Sequence, residues 1–430
     1  MLFKHKRNSS TMLRFAMKTT GKKIVEDCGL SVSGIRLAAD RIRGAIPVSP
    51  CTESHALSQL TGGTVFLKLE NLQRTGSFKE RGALNRLLTL SEPERNQVLV
   101  AASAGNHAQA VAYHAARLGL KAEIWMPLTT PLVKVASTRA FGAEVVLEGT
   151  NFDETFAAAR SRCATEGSTF VHPFDDEQVI AGQGTIGLEL LDQIPDLEIV
   201  VVPIGGGGLI AGIAVAIKEL VSRVRIIGVQ TSVLPSMIEA VRMRKPVIVA
   251  SKPTIADGIA VRQAGEKTTP IVARYVDELV VVDEEEIAAA VLLLLEREKT
   301  LAEGAGAVAV AALMSGNLSF SGKRVAAIVS GGNMDVTLLS RIIERGLVKD
   351  GRLIRLRIPL PDHPGALHRL TEIIARNRAN IVETSYHRAF HGAKLSHTVI
   401  DMTMETRGHQ HCEELARALT DAGYESDRIV

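Results

Sequence analysis

The sequence has few of the features that mark disulfide-rich, zinc-binding or nucleic-acid-binding proteins. Its 4 cysteines, Cys28, Cys51, Cys163 and Cys412, lack CxxC or Cys/His spacing, which argues against a zinc site or a disulfide framework. The 50 basic and 47 acidic residues nearly balance without a basic block in the main body, so no nucleic-acid partner is expected. With 46% hydrophobic and 23% charged residues, the composition indicates a folded, soluble protein. The scattered cysteines fit a reducing, cytoplasmic setting.

The sequence also lacks an uninterrupted membrane span. Residues 199–217 carry no charge and are numerous enough to cross a bilayer as a helix. Pro203 and the consecutive glycines Gly205 to Gly208 would break that helix, so we interpret the run as a strand, a loop and a buried helix. Residues 1–25 form a basic N-terminal extension without an acid before Glu26. A targeting segment and a disordered tail both fit this extension.

Between Ile46 and Leu347, short runs rich in Val and Ile alternate with longer amphipathic helical patterns. Apolar strands separated by helices indicate parallel sheets covered on both faces. We therefore predict a large α/β domain over residues 26–349. Its predicted strands include 98–101, 122–125, 144–147, 199–203, 224–229, 278–282 and 325–330.

The pattern changes at Asp350. Residues 354–360 alternate between apolar and polar side chains, as in a strand with one exposed face. Asp362 and Pro364 are expected to cap and open a helix. Alternating runs at 381–388 and 395–404, a helix at 411–422 and a last strand at 424–430 would complete a ferredoxin-like βαββαβ arrangement. Residues 350–430 are thus predicted to form a second domain.

A glycine-rich loop follows the strand at 199–203. Gly205 to Gly208 precede a helix, where backbone N–H groups and the helix dipole favour an anion. Gly206, Gly208 and Ala211 also fit the dinucleotide pattern G-x-G-x-x-A, but Gln230 stands where NAD binding requires an acid. A smaller phosphate ester is therefore preferred over NAD. Close helix–strand packing is the alternative that needs no ligand.

Two more polar loops and one lysine are candidates for chemistry. The loops at 103–107 and 330–333 follow predicted strands and would bring polar groups to the carboxyl edge of a sheet, although ordinary turns explain each loop alone. Lys79 stands where a helical pattern begins, a position at which most lysines are solvated. The alternative is a Schiff-base lysine, whose pKa falls on partial burial.

Six segments together resemble one family. In sequence order they are Ser77-Phe78-Lys79, Ser103-Ala104-Gly105-Asn106-His107, Gly205-Gly206-Gly207-Gly208-Leu209, Ala256-Asp257-Gly258, Glu303-Gly304-Ala305-Gly306 and Ser330-Gly331-Gly332-Asn333. From about Gly44 to Leu347 the chain resembles the fold-type II pyridoxal-phosphate enzymes, and within them the threonine dehydratases, or threonine ammonia-lyases. The resemblance implies two open twisted sheets covered by helices and pyridoxal 5′-phosphate as cofactor. Residues 350–430 resemble an ACT domain.

The resemblance also implies residue roles. Lys79 would bond to the cofactor and act as catalytic base, Asn106 would face the cofactor's 3′-oxygen, and Ser330 its pyridine nitrogen. A serine hydroxyl leaves the ring a weaker electron sink than an aspartate, which favours loss of a β-substituent over transamination. The other implied cofactor-binding residues are Phe78, Gly205, Gly206, Gly207, Gly208, Leu209 and Glu303. The implied substrate-binding residues are Ser103, Ala104, Gly105 and His107.

The implied activity is deamination of L-threonine and L-serine to 2-oxobutyrate or pyruvate and ammonia. Ala104 stands where serine racemases of this family carry a second serine, which argues against racemisation. Gln230 stands where those relatives place an acid that helps to bind a divalent cation, so no metal is expected. The alternatives are a serine racemase with dehydratase activity, a cysteine-synthase-type β-replacement enzyme and a catalytically silent amino-acid sensor.

The ACT-like domain implies regulation by a branched-chain amino acid. Such domains bind amino acids at the first strand–helix turn, so Asp362, Gly365, Ala366 and Leu367 are implied to hold isoleucine or valine. Asp362 acting only as a helix cap is the alternative. The expected setting is isoleucine biosynthesis. The expected partners are a small amino-acid substrate, this effector and further copies in a homo-oligomer, a dimer or tetramer, without a membrane.

Overall fold

The structure is a computed structural model that describes residues 15–16, 29–250, 252–387 and 396–429. Cys28, Arg388, Leu395, Val430 and most of the predicted N-terminal extension lie outside these ranges. The strands are β1 (Phe15–Ala16), β2 (Cys51–Glu53), β3 (Thr64–Leu69), β4 (Leu99–Ala102), β5 (Ala122–Met126), β6 (Glu144–Leu147), β7 (Thr169–Phe170), β8 (Ile199–Pro203), β9 (Arg225–Thr231), β10 (Glu278–Val282), β11 (Arg324–Val329), β12 (Leu353–Pro361), β13 (Asn380–His387), β14 (His397–Glu405) and β15 (Asp427–Ile429).

Helices alternate with most of these strands, as the sequence predicts. The helices are α1 (Val32–Ile42), α2 (His55–Thr61), α3 (Lys79–Leu88), α4 (Glu92–Arg95), α5 (Asn106–Arg117), α6 (Leu132–Ala140), α7 (Phe152–Glu166), α8 (Glu177–Gln193), α9 (Gly208–Leu220), α10 (Ser236–Met243), α11 (Thr268–Tyr275), α12 (Glu284–Glu296), α13 (Gly304–Met314), α14 (Val336–Lys349), α15 (Ala366–Arg376) and α16 (His409–Asp421). Short 3-10 turns form at Glu70–Leu72 and Asp257–Ile259. Among the described residues, no helix is long and apolar enough to cross a bilayer.

The larger sheet has the strand order β1-β10-β9-β8-β11-β3-β2. Its five inner strands run parallel, which confirms the predicted α/β architecture. The two edge strands, β1 and β2, are short and antiparallel, which the sequence analysis did not predict. An antiparallel pair needs no long crossover connection, so the short helix α2 is enough to join β2 to β3.

The smaller sheet has the order β6-β5-β4-β7, and all its pairs are parallel. Both sheets belong to one compact unit that ends at Asp335. The apolar faces of α3 and α5 pack on the smaller sheet, with Leu87, Val111 and Ile124 fully buried in the shared core. This packing fixes the starts of both helices at the carboxyl edge of the strands.

The second compact unit, residues 336–430, contains the strand–helix–strand–strand–helix–strand order predicted for the C-terminal region. Its antiparallel sheet has the order β13-β14-β12-β15, and the alternating apolar residues of β12 lie in its core. The unit also includes α14, which the sequence analysis placed in the larger domain. The boundary at Asp350 and the ACT assignment stay predictions.

The start of α15 differs from the prediction. The helix begins at Ala366, and its N-cap is Gly365 with φ 86°, without a side-chain cap hydrogen bond. Asp362 therefore does not cap this helix. The preceding residues form a turn in which Ala366 N donates to His363 O at 3.2 Å, so the chain enters the helix through the positive φ of glycine.

Candidate active site

A cavity lies at the carboxyl ends of β8 and β11 in the larger sheet. All ten residues that the resemblance assigns to the cofactor line it. They are Phe78, Lys79, Asn106, Gly205, Gly206, Gly207, Gly208, Leu209, Glu303 and Ser330. The fold thus brings together segments that are separated by more than 200 residues of chain.

A second cavity adjoins the first and shares Lys79, Asn106 and Glu303 with it. The four residues assigned to the substrate, Ser103, Ala104, Gly105 and His107, line this second cavity. Their loop connects β4 to the start of α5 at Asn106. The backbone N–H groups of a helix's first turn point out of its N-terminus, so this loop is suited to bind a carboxylate.

Lys79 is the first residue of α3. The backbone before it is fixed to β11, since Phe78 N donates to Ser330 O at 3.1 Å. Lys79 Nζ donates to the backbone oxygen of Pro173 at 2.7 Å. Burial lowers the pKa of Lys79 to about 8 against the opposing charge of Glu303. A substantial fraction of the amine is therefore neutral, and nucleophilic, near neutral pH.

A buried ionic network, two residues after Lys79, anchors α3. The guanidinium of Arg81, 1% exposed, donates twice to Glu70 at 2.8 Å and to both carboxylate oxygens of Glu189 at 2.5 and 2.9 Å. Lys68 donates to Glu189 at 2.5 Å. Burial raises the pKa of Glu70, but the charges and hydrogen bonds of Arg81, with Lys68 and Ser49, outweigh it and hold the pKa below its usual value. The network ties α3 to β3 and α8.

The glycine turn between β8 and α9 forms one wall of the first cavity. Gly207, the N-cap of α9, has φ 100°, a conformation that other residues rarely adopt. The Gly206 carbonyl accepts from Thr268 Oγ1 at 2.6 Å and from Gly265 N at 3.2 Å. A Cβ atom on Gly206 would collide with the ring of Phe174. The turn therefore requires glycine and has its carbonyl held in place.

Asn106 and Glu303 form a polar pair where the two cavities meet. Asn106 Nδ2 donates to Glu303 Oε1 at 2.6 Å, and Asn106 Oδ1 accepts from Asn333 Nδ2 at 2.7 Å. Burial, together with the charge of Asp257, raises the pKa of Glu303 to about 7 against the hydrogen bond from Asn106. Glu303 can therefore gain or lose a proton near neutral pH.

Ser330 lies at the end of β11 and is 3% exposed. Its hydroxyl contacts the backbone oxygen of Ala305 at 3.4 Å, a long and weak hydrogen bond. His107 Nε2 lies 2.9 Å from Val171 O, and its Nδ1 has no partner among the described residues. Burial and the charge of Lys79 lower the pKa of His107 to about 3, so the imidazole is neutral.

The segment His172-Pro173-Phe174-Asp175 also belongs to the site, although no sequence motif predicts it. Pro173 and Phe174 line both cavities, and Pro173 supplies the hydrogen-bond partner of Lys79. The available signal was the change from the apolar end of the short strand β7 to His172, Asp175 and Asp176. The carboxyl ends of parallel strands are where sites of such sheets form, but two strand residues are too few for a reliable prediction.

Gln230 lies inside β9, which continues to Thr231 beyond the predicted end of the strand. Its Oε1 accepts from Met237 N at 3.0 Å and Ile238 N at 3.1 Å and so satisfies the start of α10. In the described part of the chain, no group of three or more His, Cys, Asp or Glu side chains is placed to hold a metal ion.

Comparison with known proteins gives consistent matches. Residues 42–331 match the family described as pyridoxal-phosphate dependent enzyme. An L-threonine ammonia-lyase of Thermotoga maritima is 48% identical over 396 residues, 92% of this chain and 98% of that protein. Processed threonine deaminase isoform 2 from Solanum lycopersicum superposes with a TM-score of 0.70 at 36% identity, over 76% of this chain and 90% of that one. Maize serine racemase superposes with a TM-score of 0.69 at 31% identity, over 74% and 98%. On the family match and on these identities, the chain belongs to the pyridoxal-phosphate dependent enzymes of fold-type II.

Proposed function

We propose that the protein deaminates L-threonine, and also L-serine, to 2-oxobutyrate or pyruvate and ammonia. The observation that carries this proposal is the position of Lys79, a half-buried amine with its pKa lowered to about 8, between the glycine turn and the loop at residues 103–107. The names of the relatives that match most of the chain, threonine ammonia-lyase and threonine deaminase, support it.

The cavity residues fit pyridoxal phosphate. The glycine turn at the start of α9 offers backbone N–H groups to the phosphate, and a side chain at Gly206 would have no room. Lys79 is the amine for the aldehyde, Asn106 can donate to the 3′-oxygen, and the Ser330 hydroxyl can face the pyridine nitrogen. Bound pyridoxal phosphate supplies an electron sink next to the substrate's α-carbon, which lets the α-proton and the β-hydroxyl leave.

Lys79 serves as the attachment point for the cofactor and then as a base. With the substrate bound, the amine of Lys79 would accept the substrate's α-proton at Nζ. Its pKa near 8 suits it to this exchange, since it can hold and release a proton near neutral pH. The Pro173 carbonyl, 2.7 Å away, orients the amine. In the overall reaction, the Cα–H and Cβ–O bonds break with loss of water, and hydrolysis of the released product gives the 2-oxo acid and ammonia.

The loop at residues 103–107 orients the substrate. Its position at the start of α5 directs backbone N–H groups toward the carboxylate of the amino acid. Ala104 offers no hydroxyl to move a proton on the face of the substrate opposite Lys79, which favours elimination over racemisation. Because His107 is neutral, it carries no positive charge that would draw the substrate carboxylate away from the backbone N–H groups of the loop.

The test compares purified wild type with Lys79→Ala and Lys79→Arg, a matched variant that keeps a positive charge. Both variants should fold, yet neither should form 2-oxobutyrate from L-threonine above about 0.1% of the wild-type rate, because the attachment point and the base are lost together. Turnover within tenfold of wild type in either variant would refute the assignment. Formation of D-serine from L-serine faster than pyruvate would favour a racemase instead.

We further propose that the turn before α15 binds isoleucine or valine. Gly365 turns the chain into the helix with φ 86°, and the Ala366 N–H donates to His363 O. The next N–H groups of α15 have no acceptor within the helix and point out of its N-terminus. Ala366 is buried and Leu367 packs partly on the core of this unit, so their backbone is firmly held. The carboxylate of an amino acid bound at this turn would accept hydrogen bonds from those N–H groups and interact favourably with the helix dipole.

A charge placed at this turn tests the effector proposal. Gly365→Asp puts a carboxylate where the effector carboxylate would sit, whereas Gly365→Asn has the same shape without the charge. Isoleucine or valine should change the threonine affinity of wild type and the Asn variant by roughly 5-fold to 150-fold, and that of the Asp variant much less. Identical isoleucine and valine titrations for all three proteins would contradict this proposal.

We also propose a cytoplasmic homo-oligomer. The three cysteines that the structure describes, Cys51, Cys163 and Cys412, are free thiols, in keeping with a reducing compartment. Light scattering of the purified chain should give a mass of two or four times 46.2 kDa. A monomer mass at all protein concentrations would contradict the oligomer.

A further inference from the structure

The segment His172–Asp175 touches three parts of the candidate active site. It follows β7 and precedes α8, whose N-cap is Asp176. The Pro173 carbonyl accepts from Lys79 Nζ at 2.7 Å. The Phe174 ring lies directly against Gly206, and the Phe174 backbone closely approaches Gly208. The lysine and the glycine turn therefore share one supporting segment.

Asp175 extends this support to the far side of the glycine turn. Its carboxylate accepts from the backbone N–H groups of Glu266, Lys267 and Thr268 at 2.9, 3.0 and 3.2 Å. Thr268 in turn donates from Oγ1 to the Gly206 carbonyl at 2.6 Å. A change in the shape of the segment would thus move both the ring of Phe174, which lies against Gly206, and the hydroxyl of Thr268, which donates to the Gly206 carbonyl.

His172 holds the segment from within. Its Nδ1 accepts from Phe174 N at 3.2 Å and from Asp175 N at 2.8 Å. An imidazole nitrogen that accepts two N–H groups carries no proton, so the proton of the neutral ring is on Nε2. The ring packs edge to face against Phe156, Phe170 and Phe174, with centroids 5.5, 6.0 and 4.7 Å away.

We propose that His172 is a positioning residue: it folds the segment so that Pro173 faces Lys79 and Phe174 supports the glycine turn. The proposal rests on the assignment of Lys79 as the attachment point of the cofactor. Burial, with the cations of Lys79 and Arg160, lowers the pKa of His172 to about 3, which keeps Nδ1 free to accept. If His172 served only to pack against the aromatic cluster, its ring would be needed but the two hydrogen bonds to Nδ1 would not.

Two amide variants separate the hydrogen bonds from the packing. In His172→Asn the side-chain oxygen sits where Nδ1 sits and can accept the same two N–H groups, whereas in His172→Gln the amide reaches toward the Nε2 position. Phe170→Leu is the matched control, because it opens the same aromatic cluster and leaves both hydrogen bonds. Each protein is stripped of cofactor, and its affinity for pyridoxal phosphate is measured by equilibrium dialysis beside its melting temperature.

His172→Gln should bind pyridoxal phosphate about tenfold to a hundredfold more weakly than wild type, because two buried N–H groups lose their acceptor and the supports of Lys79 and Gly206 shift. His172→Asn should stay within about threefold of wild type, and Phe170→Leu should lose melting temperature without this loss of affinity. In steady-state assays, His172→Gln should lower kcat more than it raises the KM for L-threonine, because Pro173 of the segment contacts Lys79 directly, whereas the loop at residues 103–107 is held through His107 and Val171 O, one residue before the segment.

The proposal is overturned if His172→Gln binds the cofactor as tightly as Phe170→Leu, or if His172→Asn is as weak as His172→Gln. If the assignment of Lys79 is wrong, a different result is expected: Lys79→Ala would still turn over L-threonine, or would still hold the cofactor covalently after treatment with borohydride. The affinity comparison among the His172 variants does not depend on turnover, so the two failures can be told apart.

Discussion

Replacing Arg81 by methionine should strongly destabilise the larger unit. Arg81 makes five hydrogen bonds, two to Glu70, two to Glu189 and one to Thr185, and it is 1% exposed. Methionine fills a similar volume but leaves the fully buried Glu70 without its main cation. Removing one partner of a buried ion pair typically costs about 3 to 5 kcal/mol of unfolding free energy. Much of this cost is the charge left unpaired on Glu70.

The pH dependence identifies that charge. In wild type, the lowered pKa of Glu70 means that its stabilising contribution is fully present above its usual pKa and is lost only as the pH falls through the folded-state value. In Arg81→Met, burial without the cation raises the pKa of Glu70, so the carboxyl takes up a proton at higher pH. The stability difference between the two proteins should therefore be larger at pH 8 than at pH 5.

Denaturant unfolding followed by fluorescence measures this difference. The chain has one tryptophan, Trp125 in β5, so the signal reports on the larger unit. Arg86→Met is the control, because Arg86 lies on the same helix but pairs with the more exposed carboxylates of Glu94 and Asp176, and its loss should cost less than about 1 kcal/mol. Adding Glu70→Gln to Arg81→Met should recover part of the loss. A loss below about 1 kcal/mol, or a difference that does not depend on pH, would refute the reasoning.

Three further outcomes follow from the site. Gly206→Ala should weaken pyridoxal phosphate binding at least about tenfold in an absorbance titration, because the added methyl group collides with the Phe174 ring; binding like wild type would contradict the close fit. The rate at which pyridoxal phosphate attaches to the cofactor-free protein should rise about tenfold per pH unit below 8 and level off above it, since the pKa of Lys79 is lowered to about 8; a rate still rising toward pH 10 would show an ordinary lysine. Burial lowers the pKa of His107 to about 3 in the folded state, so the unfolded chain binds a proton at His107 at higher pH than the folded chain does, and the free energy of unfolding should fall as the pH drops below about 6.5. His107→Gln should make this fall shallower by up to about 1.4 kcal/mol per pH unit. An unchanged slope in the variant would contradict the buried, neutral state of His107.

The sequence predicts the parts of the fold that depend on local pattern. Strands such as Ile199–Pro203 and Glu278–Val282 have the predicted bounds, because continuous apolar runs between helices are typical of buried parallel strands. β3 is not among the predicted strands, since Lys68 interrupts its apolar run. The ion pair that lets Lys68 be buried there is made with Glu189, on a helix more than 100 residues away in the sequence. The predicted cap of α15 is wrong because the backbone enters the helix through Gly365. Asp362 and Pro364 have the residue types typical of a helix start, and they therefore favour a start that is too early.

The candidate site was predictable to a similar extent. The resemblance named ten residues of the first cavity, but it assigned no role to Gly258 or Ala305, which also line this cavity and lie in two of the six motifs. It could not supply the hydrogen bond from Asn106 to Glu303, which joins residues 197 positions apart, or the contact between Lys79 and Pro173. Such contacts depend on the relative position of the two sheets, and the sequence periodicity of single strands and helices carries no information about that position.

The strand order of the larger sheet has a consequence for folding during synthesis. β11 lies between β8 and β3, so it is inserted between two strands that leave the ribosome well before it. Until residues 324–329 emerge, β3 and β8 each expose an unpaired inner edge, a surface prone to pairing with other chains. The pairing also joins residues about 260 positions apart, which slows folding because a long loop must close first. The nascent chain therefore remains open to aggregation, and to chaperone binding, until the larger unit is almost completely synthesised.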